Sequence, residues 1–219
     1  MLKLGEKGAI PQNDNETYAI APHIPCGVVT PELLRKIADV AENYHAKAIK
    51  LTGATHMAIV GLKEEDIDSA WEDLGLDKGA AVGMCIRSIR ACPSTTFCKL
   101  GKQDALGLGM KLDEQYHAYE LPGKFKMAVS GCKLSCSESW VRDIGLIGFP
   151  QGWTMVIGGN VGMQPRIAKE LVSDLDDESA LRACEQIVTY YKENAKKGER
   201  LGKMIERVDL EPFKQALQE

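Results

Sequence analysis

The chain has 219 residues, enough for one large domain or two small ones. Lys and Arg number 27 against 31 Asp and Glu, a formal net charge of −4, so no global charge favours nucleic-acid or anionic-membrane binding. With 44% hydrophobic and 26% charged residues, the composition is that of an ordinary soluble globular protein. No apolar run approaches the ~20 residues of a membrane span. Met1–Asn15 is charged and turn-rich, without the apolar stretch of a signal peptide, and a cytoplasmic location is expected. The anomaly is seven cysteines. An odd count without a secretory leader argues against a disulfide framework and for metal, cluster or thiol chemistry.

In chain order, the segment through Thr17 reads as an exposed arm and Tyr18–Ala21 as a short strand stopped by Pro22 and Pro25. Thr30-Pro31-Glu32 carries a helix start: an N-cap hydroxyl, Pro at the first helical position and an acid in the first turn. Leu33, Leu34, Ile37, Val40 and Ala41 continue it at helical spacing to about Tyr44. Ala48–Thr52 and His56–Val60 predict two strands joined at Gly53, and Lys63–Leu74 a helix with Ile67, Ala70, Trp71 and Leu74 on one face. This first α+β unit ends in the Gly75–Ala81 segment, which divides the chain into residues 1–80 and 81–219. Beyond it, Met84–Arg87 is extended, Cys98–Gln115 reads as a helix, Lys126–Ser130 as a strand and Cys136–Arg142 as a short helix. Asp143–Phe149 and Trp153–Gly158 form a strand pair around Pro150-Gln-Gly152, Glu178–Lys196 is helical, and short helices follow to the C-terminus. The expected fold class is α+β, as two consecutive units.

Four cysteines form two pairs, Cys92-x5-Cys98 and Cys132-x3-Cys136, each at a strand-to-helix junction. Four thiolates from two loops can hold zinc or an iron–sulfur cluster. The five-residue gap fits zinc knuckles, typically about two to four residues, poorly, and no histidine lies near either pair. Four unrelated core cysteines are the bland alternative.

Arg90-Ala-Cys92-Pro-Ser-Thr-Thr-Phe-Cys98 and Val129-Ser-Gly-Cys132-Lys-Leu-Ser-Cys136 resemble the siroheme and 4Fe-4S signature of sulfite and nitrite reductases. Lys102-Gln-Asp104, Lys124-Phe-Lys126, Asp143-Ile-Gly145 and Gly158-Gly-Asn160-Val-Gly162 agree with it, and Ile24-Pro-Cys-Gly27 with Lys50-Leu-Thr52 resemble the family's ferredoxin-like lobe. The resemblance spans roughly residues 17–215 and is strongest to the small assimilatory-type sulfite reductases. It implies a ferredoxin-like lobe followed by a siroheme- and 4Fe-4S-binding α+β domain. It also implies sulfite reduction to sulfide, with nitrite reduction to ammonia, or siroheme/Fe–S electron transfer without turnover, as alternatives.

By the same resemblance Cys92, Cys98, Cys132 and Cys136 hold the cluster, and Cys136 also bridges to the siroheme iron. Arg87, Lys124 and Lys126 are the anion-handling cations. Arg90, Lys50, Thr52, Gly159, Asn160, Gly162 and Arg166 are expected at the carboxylated cofactor. Where family lobes carry an arginine two residues before the proline of the Pro-x-Gly turn, this chain has His23, a candidate proton donor but a weaker anion anchor. No flavin or nicotinamide motif is visible, so a separate electron donor such as a ferredoxin is expected. The resemblance implies a single module, expected to be monomeric or homodimeric. In two-module relatives the cations and the cluster cysteines can come from different modules.

Overall fold

The computed structural model describes residues 1–218, which form two compact units, Met1–Gly83 and the chain from Met84 onward. In the first unit, β1 (Ala9–Pro11), β2 (Tyr18–Ile20), β3 (Ala48–Leu51) and β4 (Met57–Leu62) form an antiparallel sheet in the order β1-β2-β4-β3. Helices α1 (Pro31–Asn43) and α2 (Ile67–Leu74) share one core with it, including Ile20, Ile37, Val40, Ile59, Leu62 and Leu74. The Thr30 hydroxyl caps α1 by accepting from Leu33 N at 3.1 Å, and Gly75 ends α2 in the left-handed conformation at φ 56.

The expected exposed arm is part of this unit. Ala9 is fully buried, β1 pairs with β2, and Trp71 Nε1 donates to Lys7 O at 2.9 Å. The polar composition of the arm conceals this, because only Leu2 and Ala9 enter the core.

The second unit contains a mixed sheet of β5 (Ile86–Ala91), β6 (Phe125–Ser130), β7 (Ile144–Phe149), β8 (Gly152–Ile157) and β9 (Lys169–Leu175), in that order. The β5/β6 and β6/β7 pairs are parallel, and β7/β8 and β8/β9 are antiparallel. The short α3 (Ser94–Phe97) and then α4 (Ala105–Tyr116) carry the chain from β5 to β6; α5 (Asp177–Asn194), α6 (Leu201–Val208) and α7 (Glu211–Ala216) complete the unit. Phe125, Met127, Val129, Trp153, Tyr191 and Phe213 are fully or almost fully buried.

Two expectations change here, and one strand was not expected. The helix read from Cys98 begins only at Ala105, where Asp104 caps it by accepting from Gly107 N at 3.0 Å. Residues before it are held elsewhere, since Lys102 N and Gln103 N donate to Gly131 O. The helix read over Cys136–Arg142 is one 3-10 turn, Ser139–Val141. Strand β9 has no counterpart in the sequence reading: of its residues only Leu171 is buried, and Asp174 sits at φ 58, so the alternation of a half-buried strand is missing.

Candidate cluster and anion site

Because β5 and β6 are parallel, the residues after them emerge at the same sheet end, and these are Cys92 and Cys132. Cys98 terminates α3, and Cys136 follows the Cys132–Ser135 turn. Backbone bonds brace the two loops: Gly131 N–H donates to Cys92 Sγ at 3.2 Å, and Gly131 O accepts from Lys102 N at 2.7 Å and Gln103 N at 3.2 Å. A Cβ at Gly131 would lie 1.6 Å from Ser94 Oγ and 2.6 Å from Gln103 O, so only glycine fits this crossing. All four thiols are free; Cys92 and Cys132 are half-buried, Cys98 and Cys136 exposed.

Among the described residues no set of three His, Cys, Asp or Glu is placed to hold a single metal ion. In a four-iron cluster each thiolate binds its own iron, so its ligands stand farther apart than those of one ion. A donor set of four free thiols on two braced loops fits such a cluster. Cys132 also lines a largely apolar cleft of about 600 Å³ with Leu100, Leu134, Phe149 and Pro150, and Lys102 and Lys133 contribute to its wall.

The expected cations lie at the other end of the strands. Lys126 is the second residue of β6 and Ser130 its last, about 13 Å of extended chain apart. Burial and then Lys124, Arg142, Arg200 and Arg87 push the Lys126 ammonium down to about 8. Lys124 is lowered by burial, Arg87 and Arg200, and Arg87 by burial, with Arg200 adding to it. Five cations thus act on one another. The sequence reading named Arg87, Lys124 and Lys126 but missed Arg142 and Arg200.

Asp143, fully buried, organises this end. Its carboxylate accepts from Lys126 N at 2.8 Å and from Arg200 Nε and Nη2 at 3.0 and 2.6 Å. Burial pushes the Asp143 carboxyl up, and Arg200 opposes that. Nothing in the sequence announces Arg200, 57 residues away in the chain.

Between the two ends, Glu138 Oε2 accepts from Arg90 Nη1 at 2.7 Å and from Arg142 Nη2 at 2.5 Å. Partial burial raises Glu138, but the two guanidiniums outweigh it and hold the carboxyl below its ordinary value. The i, i+4 spacing of Glu138 and Arg142 was a legible signal.

In the Gly158–Gly162 loop, Asn160 Nδ2 donates to Gln164 O at 2.8 Å, while its buried Oδ1 has no partner among the described residues. A Cβ on Gly159 would lie 2.4 Å from Trp140 O, whereas one on Gly162 would meet open space. Arg166 is held bidentately by Glu206 at 2.6 and 2.8 Å. Within the first unit, Thr52 Oγ1 accepts from Ala54 N and His56 N and builds the β3–β4 turn. Lys50 Nζ donates to Leu51 O, and the His23 ring centroid is 6.3 Å from that of His56.

The paired cysteine loops and the ferredoxin-like lobe are those of a redox family, and the chain belongs to the nitrite and sulfite reductase family. Residues 82–219 match its "Nitrite and sulphite reductase 4Fe-4S domain" and residues 10–76 its "Nitrite/Sulfite reductase ferredoxin-like half domain". The chain is 40% identical over 211 residues to an assimilatory-type sulfite reductase of Nitratidesulfovibrio vulgaris, covering 96% of this chain and 97% of that one. It is 37% identical to a nitrite reductase [NAD(P)H] of Bacillus subtilis, covering 89% of this chain but only 24% of the relative. The fold is shared with the crystal structure of a dissimilatory sulfite reductase I, with a TM-score of 0.81 at 14% identity over 92% of this chain and 69% of that one. The family is one of oxidoreductases, and the α+β class with its ferredoxin-like lobe is the expected one. No helix among the described residues is long and apolar enough to cross a membrane.

Proposed function

We propose that the chain reduces sulfite to sulfide, and that Cys92, Cys98, Cys132 and Cys136 would hold a 4Fe-4S cluster, with Cys136 the thiolate that would also serve a siroheme. The observation that carries this reading is the pair of braced cysteine loops in a chain matching a sulfite reductase over nearly the full length of both. Sulfur passes from the +4 to the −2 state, so six electrons and six protons enter and three waters leave per sulfite dianion. Siroheme, when bound, supplies the iron at which the anion is reduced.

The residues of the chain bind anions and move protons. Lys124, Lys126 and Arg87 offer convergent positive charge, and a lysine near 8 is charged at neutral pH yet able to release its proton to a developing oxide. Gly162, where a Cβ would meet open space, allows close backbone approach of a carboxylated macrocycle, and Gly159, Asn160, Arg90, Arg166, Lys50 and Thr52 are further candidate contacts. His23 is a candidate proton donor. Electrons come from a separate donor protein such as a ferredoxin.

Nitrite is the second reading, favoured by the similarity to the nitrite reductase of Bacillus subtilis. Its reduction to ammonia also takes six electrons. Steady-state turnover of both anions with a reduced dye separates the two, and sulfite is expected to give the higher kcat/KM. Optical and EPR spectra of anaerobically purified protein test the cofactors. Protein that stays colourless after reconstitution with iron, sulfide and siroheme would refute the reading. Cys136→Ser should abolish the haem–cluster coupling, and a wild-type coupled spectrum would remove Cys136 from that role.

A further inference from the structure

One ion-pair bracket ties the outer flanks of the two cysteine loops. Arg90 lies two residues before Cys92, and Glu138 two residues after Cys136. Their bond, 2.7 Å between Arg90 Nη1 and Glu138 Oε2, therefore joins the entry of the first loop to the exit of the second. The same oxygen takes Arg142 Nη2 at 2.5 Å. Arg142 is 4% exposed, its Nη1 donates to Val141 O at 3.0 Å, and its buried Nε has no partner among the described residues. Glu138 reaches this position with a left-handed backbone, φ 61, and Ser135 before it has φ 52. Such conformations are unfavourable for residues with a side chain, and the contacts of the loop hold them.

The bracket carries two positive charges and one negative, beside four thiolates that give any iron cluster a negative net charge. The potential of such a cluster depends on the charge and hydrogen bonding around it. A nearby carboxylate opposes the incoming electron and a guanidinium favours it.

We propose that Glu138 is a positioning residue that sets the reduction potential of the cluster on Cys92, Cys98, Cys132 and Cys136, by holding Arg90 and Arg142 at the loop flanks and partly cancelling their charge. This rests on the cluster reading above.

The test is an EPR-monitored redox titration of the purified holoprotein. Glu138→Gln removes the negative charge and should raise the midpoint potential; Arg90→Gln removes a positive charge and should lower it. Each shift is expected to be about threefold to tenfold in the reduction equilibrium, tenfold being about 59 mV for one electron. Solvent and salt screening at the half-exposed Glu138 keep it from being larger. Glu138→Asp keeps the charge and should stay near wild type. A structural tie alone predicts shifts of one sign, because either glutamine breaks the same bond. Shifts of one sign, or none, overturn the proposal. Arg142→Gln is a second variant expected to lower the potential, and a rise would overturn the proposal as well. Wild-type protein without a 4Fe-4S signal overturns the cluster reading and this one with it; an intact cluster with unopposed shifts overturns this one alone.

Discussion

The two ends of the β5–β6 strand pair are built on opposite principles. At the cysteine end the work is done by backbone hydrogen bonds: Gly131 N–H to Cys92 Sγ, and Lys102 and Gln103 N–H to Gly131 O. At the other end Arg87, Lys124, Lys126 and Arg200 repel one another around the fully buried carboxylate of Asp143, and Arg142, paired with Glu138 between the ends, adds its charge to the field at Lys126. The cysteine end is a geometric cradle in which backbone contacts fix the two loops that carry the thiols. The cationic end is an electrostatically loaded surface whose charge excess suits an anion. A chain folding for stability alone gains nothing from that excess, which is the pattern of a site that costs stability for function.

The largest effect should come from breaking the cationic end at its anchor. Asp143→Ala leaves Arg200 without its partner and the Lys126 amide without its acceptor. Removing one member of a buried pair costs about 3 kcal/mol, read as a lowered urea midpoint. Glu138→Gln, whose carboxylate is 54% exposed, should cost less than about 1 kcal/mol. Equal losses from the two would erase the distinction between the ends. Next comes the cradle. Gly131→Ala forces a methyl to within 1.6 Å of Ser94 Oγ. Overpacking of this kind costs about 2 kcal/mol, and iron per chain should fall sharply while the pH profile of stability keeps its shape.

The cradle was far more legible than the loaded end. Cys92, Cys98, Cys132 and Cys136 lie close in sequence and carry chemistry by residue type alone, and the Thr30-Pro31 helix start and the hairpin around Pro150 are local signals of the same sort. The loaded end is assembled across long separations: Arg200 reaches Asp143 over 57 residues and Arg142 joins through the field at Lys126. No local spacing records those contacts. Lys124 and Lys126 lie near Cys132 in sequence, but a strand that starts at Phe125 and ends at Ser130 carries neighbours in sequence to opposite sheet ends. Asp104 capping and the Gly131 brace likewise delayed the α4 start beyond what helical spacing indicated.

The smallest effect is the most discriminating, because its sign is unusual. Lys126 is pushed down to about 8 from the ordinary 10.5, first by burial and then by Lys124, Arg142, Arg200 and Arg87. Between those two values the unfolded chain holds a proton that the folded chain has released, so stability rises with pH across that window. Below about 8 the folded protein bears the full cost of the charged lysine. Lys126→Met keeps the apolar stem and removes the charge. The variant should therefore be more stable than wild type at neutral pH, by about 1 kcal/mol once solvent screening is allowed for, and its urea midpoint should lose the wild-type rise above pH 8. Anion turnover should fall at the same time, with KM for the anion raised. A variant that is less stable at neutral pH would mean that Lys126 is held by attraction, and the cationic end would then be an ordinary ion-paired surface like the Glu138 bracket.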